Sequence, residues 1–176
     1  MRKVLQKEFF KRDTALVAQE LIGKFLVKKT GKAEVAAKVL ETEAYDGPED
    51  KAAHGSRGMT KRNKVMFGEP GRFYVYFIYG MHWMLNIVCG PEGFPAAVLL
   101  RGVEVDGLRI NGPGRLTKFL KVNKSFNGIH ADVGFGMWFE DRGFVVRSGQ
   151  VEKAKRIGVD YAGEWAHKPY RFYLKT

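Results

Sequence analysis

An α+β domain built on a mostly antiparallel sheet is the fold class this sequence predicts, and three observations predict it. Short apolar runs with period two recur from Phe25 to Leu174, bounded by glycine-bearing or charged turns. Helical spacing of apolar residues is confined to brief stretches, so no long helix competes with the sheet. No repeat, low-complexity tract or linker interrupts the 176 residues, and residues 1–176 read as a single domain. Apolar residues make up 45% of the chain and aromatics 13%, enough to fill one core and exclude disorder.

The elements follow in order. "TALVAQELIGK" predicts a short helix from Thr14, with Asp13 as N-cap and Gly23 as its stop. "KFLVKKTGKAEVAAKVLETEAY" reads as two strands joined by a turn at Thr30 to Lys32. The polar, glycine-bearing segment from Asp46 to Asn63 reads as a loop. "RFYVYFIYGMHWMLNIV" predicts a hairpin with its tip around Tyr79, Gly80 and Met81, and "AAVLLRGVEV" another strand. In "GPGRLTKFLKV", Leu116, Phe119 and Leu120 have the spacing of a short amphipathic helix. Further strands are expected at "MWFE", "GFVVRS" and "YRFYLK".

Charge narrows the function. Lys and Arg number 30 against 19 acids, a net charge of +11, which suggests an anionic partner, nucleic acid first and a membrane surface second. Cys89 is the only cysteine, and the four histidines lie scattered at His54, His82, His130 and His167. Neither a disulfide framework nor a metal site is expected. "MRKVLQKEFFKRD" has no apolar leader segment and no run is long enough to span a bilayer, so a cytoplasmic protein is expected, or a nuclear one in a cell with a nucleus.

Two stretches stand out chemically. In "ETEAYDGPEDKAAH", regular alternation would align Val35, Val39, Glu41, Glu43 and Tyr45 on one strand face, with the two carboxylates roughly 7 Å apart. Burial or repulsion could raise one pKa toward that of a general base. Read alone, ion pairing of both carboxylates to the abundant Lys and Arg is the commoner outcome. In the hairpin, Tyr74, Tyr76 and Ile78 would face one way and Phe73, Val75 and Phe77 the other. Tyr79 would stand exposed at the tip, as a wedge for stacked bases or as a tyrosine folded back over the hairpin.

Taken together, "ETEAYDGPEDKAAH", "KRNKVMF", "FYVYFIYGMHWMLNIV", "VLLRGVE", "NGPGRLTKFLKVNKSFNG" and "GVDYAGEWAHKPYRFY" occur in order and closely resemble the alkyladenine (3-methyladenine) DNA glycosylase family. The resemblance runs from about Phe9 to Tyr173. It implies a curved antiparallel sheet whose hairpin projects into the DNA minor groove, and a monofunctional glycosylase of base excision repair. The implied substrates are 3-methyladenine, 7-methylguanine, hypoxanthine and ethenoadenine in double-stranded DNA, with no cofactor and no lyase step. A monomer is expected.

By the same resemblance Glu43 is the general base for a catalytic water, which Arg101 and the main-chain carbonyl of Val159 help to hold. Tyr45, His54 and Tyr76 enclose the flipped base, with the backbone N–H of His54 reading its edge. Asn86 crowds the 2-amino group of guanine, and Tyr79 intercalates. Arg62, Lys64, Met81, Arg115 and Lys124 fall in stretches that approach the DNA backbone. The connection between Arg101 and Asn111 is shorter than in the longer members, and the loop from His54 to Asn63 is one residue shorter. The rival reading is a nucleic-acid-binding module that keeps the hairpin without turnover. A basic RNA-associated structural protein accounts for the charge but not for the acidic strand.

Overall fold

Alternation of apolar and polar residues from Phe25 onward forms an open antiparallel sheet in the computed structural model, which describes residues 2–175. The strands are β1 (Lys3–Val4), β2 (Phe25–Thr30), β3 (Ala33–Asp46), β4 (Phe73–Ile78), β5 (His82–Val88), β6 (Ala96–Val105), β7 (Leu108–Asn111), β8 (Met137–Asp141), β9 (Val151–Ala154) and β10 (Arg171–Leu174). The order β1-β8-β2-β3-β6-β5-β4 forms the main path; β10 joins β3 to β9, and β7 pairs with β6. Three short α-helices lie among them: α1 (Lys7–Phe10), α2 (Thr14–Glu20) and α3 (Pro113–Phe119). No helix among the described residues is long and apolar enough to cross a membrane.

The helices form where their ends are satisfied. The Asp13 side chain accepts the Leu16 N–H at 2.8 Å and caps α2, and Gly23 follows with φ +83°. Pro113 opens α3, where the missing N–H costs nothing. Leu116 and Leu120 of this region are buried, but Phe119 is 42% exposed and does not belong to the core as its spacing suggested.

β3 is the spine. Its first half pairs with β2, its second half with β10, and β6 runs along its other edge. Between Val39 and Thr42 the register with β6 slips twice, once at Leu40 and once at Arg101. Each slip adds a residue to one strand, and the alternation changes parity across it. Before the bulge Ala37 and Val39 enter the main core; after it Ala44 does so, and the Thr42 hydroxyl donates to the Ala18 carbonyl of α2 at 2.8 Å. Glu41, Glu43 and Tyr45 therefore emerge on the face opposite Val39. The single-face alignment expected from regular alternation is corrected by this bulge.

Both faces of the sheet are used. Phe73, Val75, Leu85, Ile87, Val98, Leu100 and Phe139 fill one large core on the α2 side. On the other face, two small clusters form beneath Tyr76 and Tyr45: Met66, Tyr74, Val88 and Ala97, and Ala52, Val159, Ala162 and Ala166. Tyr74 and Tyr76 face opposite to Phe73 and Val75, as the alternation predicts.

Other expectations change. "GFVVRS" is not a strand: Phe144 and Val146 turn toward Gly23, where a Cβ would meet them at 2.9 and 2.7 Å, and Val145 is 76% exposed. The strand of this region is β9, paired with β10. The short Arg101–Asn111 connection is a tight β6–β7 hairpin turned by Asp106 and Gly107, both with positive φ. The loop from Asp46 to Asn63 contains a 3-10 turn at His54–Arg57.

Gly47, directly after β3, has φ +81°, and a Cβ there would lie 2.1 Å from the Phe94 ring. Gly47→Ala combines left-handed strain with overpacking, together about 2–4 kcal/mol. The expected result is a melting temperature lower by roughly 5–15 °C, measured by thermal denaturation.

Candidate active site

On the face that the bulge gives to Glu43 and Tyr45, a cavity of about 250 Å³ opens, close to the low end for small-ligand pockets. Tyr45 (β3), Tyr74, Tyr76 and Ile78 (β4), Met84 and Asn86 (β5), and Leu99 and Arg101 (β6) supply its strand-borne wall. His54, Pro113 and the segment Ile157–Tyr161 close its sides, and Tyr79 stands at its mouth. The sheet thus brings together Tyr45, His54, Tyr76, Tyr79, Asn86, Arg101 and Val159 from distant parts of the sequence.

Glu43 is fully buried and lies immediately behind this lining. One carboxylate oxygen accepts the Ile157 N–H at 2.8 Å; the other accepts the Tyr45 hydroxyl at 2.8 Å and faces Arg101 Nη1 at 3.5 Å. All three donors line the cavity. Burial pushes the Glu43 carboxyl above the usual carboxylate range, opposed by Arg101, the Ile157 amide and the Tyr45 hydroxyl. Glu41 instead pairs with Arg101 Nε at 3.3 Å and Arg171 at 3.0 Å. The ion pairing anticipated for both glutamates is present, but only Glu43 is sealed from solvent.

The other walls are equally fixed. Tyr74 and His54 share a hydrogen bond at 3.0 Å between the phenol oxygen and Nδ1. Burial, aided by Arg62, lowers the His54 pKa to about 4, so its imidazole is neutral at physiological pH. Burial raises Tyr74 to about 12, so its phenol keeps its proton and can donate to Nδ1. The Asn63 side chain donates to the carbonyls of His54 and Gly58 at 2.8 and 3.0 Å, which clamps the His54 turn. The N–H of His54 opens that turn, where main-chain donors have no partner inside the helix. Asn86 is buried and donates to the Tyr74 carbonyl at 3.0 Å, so the strand bond of an ordinary asparagine is made while its side chain still borders the cavity. The Val159 carbonyl accepts the Ala162 N–H at 2.9 Å, which leaves one lone pair for a further partner.

The hairpin tip is strained and open. Tyr79 and Gly80 have φ +54° and +66°, and the Met81 N–H donates to the Ile78 carbonyl at 3.2 Å. Tyr79 is 82% and Met81 67% exposed. The tyrosine is not folded back over the hairpin.

Arg62 lies over the Tyr76 ring at 5.3 Å and donates to the Phe77 carbonyl at 3.3 Å. Lys64 begins the 3-10 turn Lys64–Phe67, whose Met66 lines the cavity, and Arg115 follows Pro113 on α3. Lys124 stands apart: the turn it begins packs Phe126 against the main core. Arg62, Lys64, Arg115 and Lys124 are exposed and have no carboxylate partner among the described residues.

The methylpurine-DNA glycosylase (MPG) family model matches residues 8–176. The chain belongs to this family. By that membership it is a DNA glycosylase, a hydrolase. A relative from Methanocella arvoryzae is 43% identical, covering 98% of this chain and 93% of its own length. One from Anaeromyxobacter dehalogenans (strain 2CP-1) is 44% identical, covering 97% and 82%. One from Legionella pneumophila (strain Paris) is 43% identical, covering 99% and 96%. Each bears the name "Putative 3-methyladenine DNA glycosylase".

Sequence reasoning missed four contributors to the site: Ile157, Asn63, Tyr74 and the Arg156–Asp50 pair behind Tyr45. Tyr74 was legible from its side of the strand. The others act through main-chain groups or buried contacts that carry no residue-type signal.

Tyr45→Phe removes a donor that favours the charged form of Glu43, so the Glu43 pKa moves further up. If Glu43 is the group that must be ionised for turnover, the acidic limb of a pH–rate profile shifts to higher pH. Single-turnover base release across pH checks this; an unmoved limb means that Glu43 does not set it.

Proposed function

We propose that the enzyme flips alkylated or deaminated purines out of double-stranded DNA and hydrolyses their N-glycosidic bond, with 3-methyladenine, 7-methylguanine, hypoxanthine and ethenoadenine as substrates. The observation that carries this reading is Glu43, a sealed carboxylate with a raised pKa held by three lining residues of an aromatic-walled cavity.

The flipped purine stacks between Tyr45 and Tyr76, with the His54 N–H at its edge. Tyr79 fills the space the base leaves, and stacking there offsets part of the cost of extrusion. Glu43 takes a proton from water as the oxygen attacks C1′, steadied by Arg101 and the Val159 carbonyl. The base departs with the electron pair of the broken bond and water's hydroxyl joins the sugar: a cationic base leaves neutral and the water proton passes from Glu43 to solvent, whereas a neutral base must gain a proton at its ring to leave neutral. Cationic 3-methyladenine and 7-methylguanine leave readily, whereas neutral hypoxanthine needs hydrogen bonding or protonation at its ring. Asn86, held by the Tyr74 carbonyl, crowds the 2-amino group of guanine, a penalty that 7-methylguanine, which carries the same group, overcomes through its positively charged ring and weakened glycosidic bond. Arg62, Lys64, Met81, Arg115 and Lys124 meet the DNA backbone, and phosphate neutralisation makes binding salt-dependent. The lining offers phenol, imidazole, amide and guanidinium groups but no lysine amine, which supports hydrolysis without strand cleavage.

Glu43→Gln keeps the side-chain shape, replaces one accepting oxygen by a donating amide and loses the base, so lesion binding persists while excision falls by about 10²–10⁴-fold. Single-turnover release from a hypoxanthine duplex is the measurement. A near-normal rate would transfer the role to another group, with Glu41 the first to examine.

Tyr79→Ala removes the wedge without touching the cavity floor. Excision from well-stacked sites falls by the equivalent of about 1–3 kcal/mol, and less where the lesion sits in a mismatch or bulge. Equal losses in every context would make Tyr79 a support of the hairpin rather than a wedge.

A further inference from the structure

Behind the Tyr45 ring the chain buries a cation. The side chains of Arg156 and Asp50 are both fully shielded from solvent. Arg156 Nη1 donates to the Ala44 carbonyl at 2.8 Å and to Asp50 Oδ2; Nη2 donates to Asp50 Oδ1 at 2.8 Å and to the Trp165 carbonyl at 3.1 Å. The Asp50 carboxylate also accepts the N–H groups of Asp46 at 2.9 Å and Ala52 at 3.0 Å. The guanidinium carbon lies 4.8 Å from the centre of the Tyr45 ring and 5.3 Å from that of Tyr170. Arg156 Nε is the one buried side-chain nitrogen or oxygen without a hydrogen-bond partner among the described residues, in keeping with a guanidinium lodged between π faces. Tyr45 lines the cavity and Arg156 does not, so the charge approaches the ring from the interior.

An aromatic face attracts a cation through its quadrupole. A cation already held against one face repels a second on the other, and the Asp50 carboxylate paired with it offsets part of that repulsion. A neutral purine on the same wall experiences stacking and little of this repulsion. We propose that Arg156 is a specificity residue: its charge, tethered by Asp50 behind Tyr45, opposes cationic alkylated purines and narrows their advantage over neutral lesions. This inference rests on the reading that the flipped purine stacks on Tyr45.

The test is the ratio of single-turnover efficiencies on a 7-methylguanine duplex, whose base is cationic, and a hypoxanthine duplex, whose base is neutral. Wild type, Asp50→Asn and the double variant Asp50→Asn with Arg156→Met are compared. Asp50→Asn leaves the guanidinium uncompensated, so the ratio of cationic to neutral excision falls. The double variant removes the cation, so the ratio rises above wild type. Each change is expected to be about five-fold, equivalent to half of a desolvated cation–π contact. Simple loss of packing would weaken both lesions together and could not produce opposite signs. If the double variant does not fold, Asp50→Asn decides alone, and an unchanged or raised ratio overturns the role of Arg156. A wild-type enzyme that releases neither base overturns the purine reading itself.

Discussion

The structure depends on a change of parity in one strand. β3 must place Val39 in the core and Glu43 on the opposite face, which a regular strand of that spacing cannot do. The bulge at Leu40, answered by the extra residue at Arg101 on β6, resolves the conflict. It also brings the Arg101 guanidinium beside both glutamates. The second half of β3 then pairs with β10, whose Arg171 holds Glu41. A bulge costs ladder regularity, and here the large core of the opposite face supplies the stability that allows it.

That division of labour explains how a buried carboxylate persists. Isolating Glu43 from water would be strongly unfavourable without charge and hydrogen-bond partners. Its partners come from three elements: the Tyr45 phenol from the same strand, Arg101 from the neighbouring strand, and the Ile157 amide from the segment after β9. Because the donors belong to separate elements, the carboxylate is held only when the sheet and that closing segment are both assembled.

Much of this was legible in the sequence, and the reasons differ by residue. The aromatic alternation of β4 assigned Tyr74 and Tyr76 to one face and Phe73 and Val75 to the other, because a regular strand obeys period two. The family motifs brought Tyr45, His54, Asn86 and Arg101 to attention, and the fold gathers them around one cavity. The facing of Glu43 relative to Val39 was not legible, since a bulge is fixed by the partner strand as much as by the bulged one. Nor was the Arg156–Asp50 pair, whose members are 106 residues apart. "GFVVRS" shows the opposite failure: it has the composition of a strand, yet its apolar side chains are drawn to the hollow at Gly23 instead of into a ladder. The "DG" of the β6–β7 turn is a plain hairpin signal, since both residues take the positive φ that such a turn needs.

Tyr79 occupies left-handed backbone, a region that disfavours bulky side chains and readily accepts glycine or asparagine. The strain is present whether or not anything is bound, and the exposed ring recovers little of it through packing. Selection for heat resistance alone would replace this tyrosine, whereas selection for DNA contact would keep it. The hairpin tip is thus a point where backbone ease and an exposed ring pull apart, and the chain carries the more strained choice there.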